Sequence, residues 1–313
     1  MPLTAPSLPP GLRRRGTLIA LVPVLAVSAV LAAVLVRTVP GDGMDGRGDG
    51  RGATRPPVAE RLLTVATWNM CGVRQWGCAD TGSGPEKRRA VERLVGAGAD
   101  VVLLQEACAT HAESVREALG ESWQSAFRPY TWRDGGGRTG TIDCEGPGRG
   151  TAGLAVLSDR PLSAVRSVPT SQPEVGLRRG ILCATVAAVD VRVCNAHLSL
   201  PGSDRAHPGW EYRDDQLKAL VAAVPGRRTV FGGDFNLRPP GARNRSGWVW
   251  PPAAYDAFRE CDQTSGADRS GRATHVSGHK LDYLFAGLPR SSCAVRDTGV
   301  SDHRALLMRV DTG

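Results

Sequence analysis

Beyond residue 61 the chain is punctuated by short, nearly apolar runs, many of which end on or next to an acid, an amide or a histidine. They fall at 62–67, 100–105, 153–158, 182–187, 191–198, 229–232, 281–285 and 305–310. Runs this short and this apolar read as buried strands. Helical spacing is confined to three stretches: 87–95, with Ala90, Val91, Leu94 and Val95; 111–119; and 211–223, with Leu217, Leu220, Val221 and Val224 on or near one side. Many short strands with few helices between them predict an α+β fold of packed sheets flanked by helices, not a repeated parallel βαβ unit.

The first 60 residues are of another kind. A polar start, 1–16, ends in Arg13-Arg14-Arg15, and is followed by an uncharged apolar run from Thr17 to Val36. Twenty such residues are about what a helix needs to cross ~30 Å of hydrocarbon. With three arginines before the run, the positive-inside rule puts the N-terminus in the cytoplasm and the folded part outside. A cleaved signal peptide is the rival reading. The run is long for one and ends Val34-Leu35-Val36-Arg37 without a small-residue cleavage site, which favours an anchor. Export follows from either reading, as a single-pass cell-membrane protein or a secreted one. Segment 37–60, rich in Gly, Asp, Arg and Pro, has the composition of a flexible tether, leaving 61–313 to fold. The net charge of +8 suggests an anionic partner, nucleic acid or lipid headgroups. Seven arginines against four acids lie in residues 1–60, so the excess in the folded part is mild.

All eight cysteines follow the apolar run, and an even number in an exported domain favours disulfides. In a hairpin centred between Ala188 and Val189, Cys183 and Cys194 stand directly opposed, at a separation a disulfide accepts. Two buried free thiols are the alternative. Cys71 with Cys78 closes a local loop, and elimination leaves Cys108 with Cys144 and Cys261 with Cys293. The absence of any C-x-x-C pair argues against zinc.

The polar residues at the strand ends are Asn69, Glu106, Asn195, His197, Asp234, Asn236, Asp282, Asp302 and His303. Acids and amides there are expensive unless hydrogen-bonded or bound to a cation. Singly, each has an ordinary structural reading: Glu106 as a helix cap, Asp234-Phe235-Asn236 as a turn.

As a set, they lie in the blocks Trp68-Asn69, Leu104-Gln105-Glu106, Asn195-Ala196-His197-Leu198, Gly232-Gly233-Asp234-Phe235-Asn236, Leu281-Asp282-Tyr283 and Ser301-Asp302-His303-Arg304. In this order the blocks resemble those of the endonuclease/exonuclease/phosphatase superfamily, the deoxyribonuclease I-like fold, across residues 62–310. The resemblance implies a four-layer α/β sandwich: two mixed β-sheets packed face to face, helices outside, and the site at one edge. It implies that Glu106 ligates Mg²⁺ or Mn²⁺, with Asn69 and Asp302 as ligands or ligand-orienting groups. It makes His303, paired with Asp282, the general base or a phosphate contact. Asp234 then orients the nucleophile or handles a proton, Asn236 donates to a phosphate oxygen, and His197 donates to phosphoryl oxygens and protonates the leaving group. The implied reaction is metal-dependent phosphodiester hydrolysis, on nucleic acid first and on phospholipid or sphingomyelin as the alternative. A non-catalytic surface-binding domain on the same fold would have no reason to keep this set together. No protein partner can be inferred.

The chain also departs from the best-known members. Deoxyribonuclease I-like enzymes pair the first histidine with a further glutamate, for which only Glu145 or Asp143 offers itself. The tyrosine of abasic-site enzymes has no assignable position. Trp248-Val249-Trp250-Pro251 stands as either a lipid-docking hairpin or a packed loop. His111, His207, His275 and His279 match no block and read as surface or loop residues.

Overall fold

The computed structural model describes residues 61–313 apart from 79–80, 225 and 242–243. The segments 1–16, 17–36 and 37–60, with the anchor expected among them, lie outside the described residues. Among the described residues no helix is long and apolar enough to cross a membrane.

The apolar runs become the interior strands of two six-stranded sheets. The first sheet runs, in spatial order, β14 (Arg290–Arg296), β15 (Ala305–Asp311), β1 (Leu62–Asn69), β2 (Val101–Cys108), β6 (Ala152–Ser158) and β3 (Gln124–Pro129). The second runs β12 (Arg259–Glu260), β13 (Asp282–Ala286), β11 (Thr229–Asp234), β10 (Val191–His197), β9 (Gly180–Val186) and β7 (Leu162–Val168). A small third sheet joins β5 (Thr139–Thr141), β4 (Thr131–Arg133) and β8 (Gly176–Arg178). Both large sheets are mixed: β1 runs parallel to β2 and β10 parallel to β11, while their other neighbours are antiparallel.

Alternation along each strand sorts side chains into layers. From β1, Leu63 and Val65 enter a core shared with Val193, Val230 and Leu284 of the other sheet. Ala66 and Trp68 point the opposite way, into a cluster with Val91 and Leu94 of α1 (Gly84–Gly96) and Val115 of α2 (Ala109–Leu119). On the outer face of the second sheet, Phe231 and Phe285 pack with Leu217 and Leu220 of α3 (Arg213–Ala223) and Tyr255 of α4 (Ala253–Asp256). The result is helix, sheet, sheet, helix, the four-layer sandwich expected. Helix α1 starts three residues ahead of its apolar pattern because Ser83 and Glu86 form a capping box and Pro85 fills the first turn.

The four expected disulfides all form: Cys71–Cys78, Cys108–Cys144, Cys183–Cys194 and Cys261–Cys293. Cys183 and Cys194 are register partners on β9 and β10, with Cα atoms 4.1 Å apart. Cys261 follows β12 and Cys293 lies on β14, so that bond joins the margins of the two large sheets.

The tryptophan-rich segment is a packed loop and not a docking hairpin. Val249 and Trp250 are buried against Phe235 and Tyr283, and only Trp248 is exposed.

Candidate active site

Strand register does much of the assembly. On the second sheet, His197 of β10, Asp234 of β11 and Asp282 of β13 stand abreast. On the first, Asn69 ends β1 opposite Gln105 of β2, one residue short of Glu106. The last site residues arrive on the loop before β15. There Ser301 Oγ donates to the Asn69 carbonyl at 2.8 Å and accepts from the His303 amide at 3.0 Å. Trp68 Nε1 donates to the His303 carbonyl, fixing that loop on the end of β1. Gly233 is required beside Asp234: its φ is +134° and any Cβ would collide with the Ala196 carbonyl.

Glu106 interrupts β2 instead of following it. Its φ is +53°, and the pairing with β6 shifts register between Leu104 and Ala107. Its amide donates to the Tyr130 hydroxyl at 3.2 Å and its carbonyl accepts from Gly72. The carboxylate is turned inward, where Asn69 Nδ2 donates to Glu106 Oε1 at 3.3 Å and to Asp234 Oδ2 at 3.0 Å. The Asn69 amide oxygen accepts from the Cys71 amide. Asn69 therefore orients the two carboxylates, one from each sheet. Burial is the largest influence on both acids: it raises the Glu106 pKa to about 7, against the pull of Arg179 and Asn69, and raises that of Asp234 against the charge of His303.

The two histidines are set in opposite states. The Tyr130 oxygen accepts from the Glu106 amide, and among the described residues the acceptor within reach of its own proton is His197 Nδ1, 2.8 Å away. His197 is thereby neutral with its proton on Nε2, 3.4 Å from Asp234 Oδ2, and burial lowers its pKa well below the usual value. His303 Nδ1 donates to Asp282 Oδ2 at 2.8 Å, while its Nε2 lies 3.8 Å from Asp234 Oδ2. Burial alone would discharge His303, but the Asp282 and Asp234 carboxylates outweigh it and raise its pKa to about 10.

Other expected residues are placed differently. The Asp302 carboxylate turns to His275 Nε2 at 3.4 Å, and its short contacts do not include Glu106 or Asn69. Asn236 stands at the rim with φ +50°, its Nδ2 donating to the Leu198 carbonyl. Arg213 Nη1 donates to the Asn236 carbonyl and Gln216 holds Ser199, so α3 buttresses the rim. Asn195 points away from the site, into the space between the sheets. Glu145 and Asp143 are exposed and do not contact His197; Tyr130 takes the place considered for them. Tyr130 is the only tyrosine between Glu106 and Asn195, the one signal that would have found it. His275 is no bystander, with its ring 4.6 Å from that of His303. Lys87 is also unanticipated: buried, it ties α1 to the Met70 and Val300 carbonyls, and burial lowers its pKa to about 8.

Two buried carboxylates, Glu106 and Asp234, both oriented by Asn69, offer the oxygen ligands that a hard divalent cation takes; the amide and histidine N–H groups around them are hydrogen-bond donors, not ligands. Cys71 and Cys78, close to Glu106, are no part of it, since both sulfurs are in a disulfide.

The sequence matches the Endonuclease/Exonuclease/phosphatase family over residues 66–303, every site residue included. The chain belongs to that family. As an endonuclease/exonuclease/phosphatase protein it is a hydrolase of phosphoric ester bonds. Among solved structures, an endonuclease/exonuclease/phosphatase from Beutenbergia cavernae DSM 12333 superposes with a TM-score of 0.60 at 23% identity, covering 81% of this chain and 72% of its own. An AP endonuclease from Archaeoglobus fulgidus gives 0.53 at 16% identity, covering 79% and 98%. A point variant of the 3' phosphatase NExo from Neisseria, bound to a product DNA hairpin, gives 0.54 at 15% identity, covering 80% and 99%. At these identities the likeness is one of fold. No curated protein matches the sequence.

Proposed function

We propose that this chain is a Mg²⁺- or Mn²⁺-dependent phosphodiesterase that acts outside the cytoplasm, held at the cell membrane by residues 17–36, with nucleic acid as its substrate. The observation that carries the catalytic reading is the buried convergence of Glu106 and Asp234 through Asn69, beside the His303–Asp282 pair. A metal ion held by Glu106 would supply neutralisation of the charge that grows on the phosphoryl oxygens. His303, kept cationic by two carboxylates, serves the phosphate as a positive donor better than it serves water as a base. Asp234, 3.8 Å from His303 and made more basic by burial, is the better acceptor for the water proton. Neutral His197 presents Nε2–H beside Asp234, suited to donate to a phosphoryl or leaving oxygen. Four disulfides favour an oxidising compartment. Burial of Trp250 removes most of the feature that favoured lipid.

The test is parallel hydrolysis of plasmid DNA, RNA and sphingomyelin with Mg²⁺ or EDTA. Cleavage of a nucleic acid that stops in EDTA is expected. Cleavage of sphingomyelin alone overturns the substrate reading, and turnover undiminished in EDTA overturns the metal reading.

A further inference from the structure

Arg179, between β8 and β9, carries a charge that its protein surroundings leave unanswered. It is 6% exposed, yet among the described residues its side chain makes no ion pair and no hydrogen bond, and its Nε is fully buried without a partner. Its backbone is secured, since Arg128 Nη1 donates to its carbonyl at 3.0 Å. The nearby Arg178 side chain is occupied too, with Nε on the Pro173 carbonyl. Nε is cut off from both water and protein partners, while the two terminal nitrogens keep their access to solvent with no protein group to donate to, so the fork is free to receive an anion that arrives with the ligand.

Its position says which anion. Gly180 is the register partner of His197, so Arg179 sits one residue beyond the point abreast of that histidine. The guanidinium lies 5.7 Å from the centre of the Trp76 ring, and Trp76 lies 5.7 Å from Tyr130, whose hydroxyl bridges Glu106 and His197. The aromatic pair holds the fork beside the reaction centre without consuming any of its donors. Its charge is felt at Glu106, at Tyr130 and at His197.

We propose that Arg179 is a substrate-binding residue whose guanidinium receives the non-bridging oxygens of the phosphoryl group under attack. This rests on the reading of the site as a phosphodiesterase. Planar, two-pronged donation suits a phosphoryl group. Arg179 then meets the phosphate from the β8–β9 side while His303 meets it from the loop before β15.

The experiment uses the full chain with Arg179→Gln and Arg179→Lys. Hydrolysis of bis(4-nitrophenyl) phosphate is followed with Mg²⁺, and binding of inorganic phosphate is measured calorimetrically in EDTA, where metal cannot mediate it. In Arg179→Gln, kcat/KM should fall ~10²–10³-fold, as for loss of a donor to a developing oxyanion. Phosphate affinity should fall about tenfold or more, with the thermal transition unmoved. Arg179→Lys should recover part of the affinity but little of kcat, because a point charge does not reproduce the fork. An Arg179→Gln protein that keeps both quantities within about twofold overturns the proposal, as does wild-type protein that binds no phosphate in EDTA. If Arg179→Gln does not fold, Arg179→Lys decides by the same criteria. Wild-type protein that binds phosphate through Arg179 but hydrolyses no ester would instead sink the proposed function, so the two failures are distinct.

Discussion

Glu106 sits in a backbone conformation that costs roughly 1–3 kcal/mol for a residue with a Cβ, and Tyr130 and Gly72 hold it there through both of its main-chain polar groups. What the strain secures is the aim of one carboxylate. Glu106→Gln keeps shape and conformation and removes the charge that retains a hard cation. Turnover is expected to drop ~10²–10⁴-fold and to recover in part when Mg²⁺ is raised or Mn²⁺ substituted. His303→Ala removes the cation that Asp282 maintains, and no added metal restores it. Equal metal rescue of both variants, or near-normal turnover in a well-folded His303→Ala protein, would remove the roles assigned to them. At this scale the sequence exposed residues that carry their own context: Glu106 after an apolar run, Asp234 after two glycines, Asp302-His303 before the last strand. It hid those whose role comes only from contact. Tyr130 looks like any strand-end tyrosine until its hydroxyl is seen between Glu106 and His197, and His275 looks like a turn residue until its ring is seen against His303.

Loops as well as strands frame the site, and the segment from Leu198 to Tyr212 is organised by one acid. Asp204 is fully buried and accepts from the amides of Glu174, Ala206 and His207 and from the Tyr212 hydroxyl at 2.6–3.1 Å. Burial pushes its pKa up, but these four donors outweigh it and hold the carboxyl below its ordinary range. A depressed folded-state pKa contributes stability that is full above the unfolded value of ~3.9 and is lost as pH falls through the folded one. Asp204→Asn should therefore cost ~1–3 kcal/mol at neutral pH, read as a lower midpoint in urea, and should flatten the acid side of the stability curve. An unchanged midpoint would show that the loop is held by other means. The long apolar strands and the three main helices were legible because burial on one or both faces imposes a period. Strands β4, β5 and β8, three residues each, are too short to show one. The extension of β2 to Cys108 was masked by the bulge at Glu106.

The two sheets are joined through polar groups as well as through their shared core. Asn195, on β10, donates to the carbonyls of Leu104 and Ala155 at 2.8 and 2.9 Å and accepts from Gln105 Nε2 at 2.7 Å, all three on the first sheet. Its neighbour His197 carried the chemical signal of that block, and Asn195 carries its mechanical one, a distinction the sequence does not draw. Asn195→Leu takes the side-chain donor from the Leu104 and Ala155 carbonyls, at ~1–3 kcal/mol for each group left unsatisfied, while Gln105 Nε2 keeps Thr67 Oγ1 and the Leu103 carbonyl as acceptors. Because Glu106 comes from one sheet and Asp234 from the other, kcat should fall along with stability even though Asn195 touches no substrate. A variant that loses stability but keeps wild-type kcat would show that the sheets align without this contact.

The Cys261–Cys293 bond acts on the same seam from its margin, stitching an edge of one sheet to an edge of the other. With that side sewn shut, any parting of the layers has to begin along the opposite flank, where β3 and β7 lie. Catalysis requires two half-sites to stay in register, so it is the most sensitive gauge of such a parting. A reductant that opens the stitch would silence the enzyme while helices and strands still look intact. For the extracytoplasmic enzyme we propose, a molecule retained in a reducing cytoplasm would then be disarmed there, where uncontrolled cleavage of phosphate esters would harm its own cell.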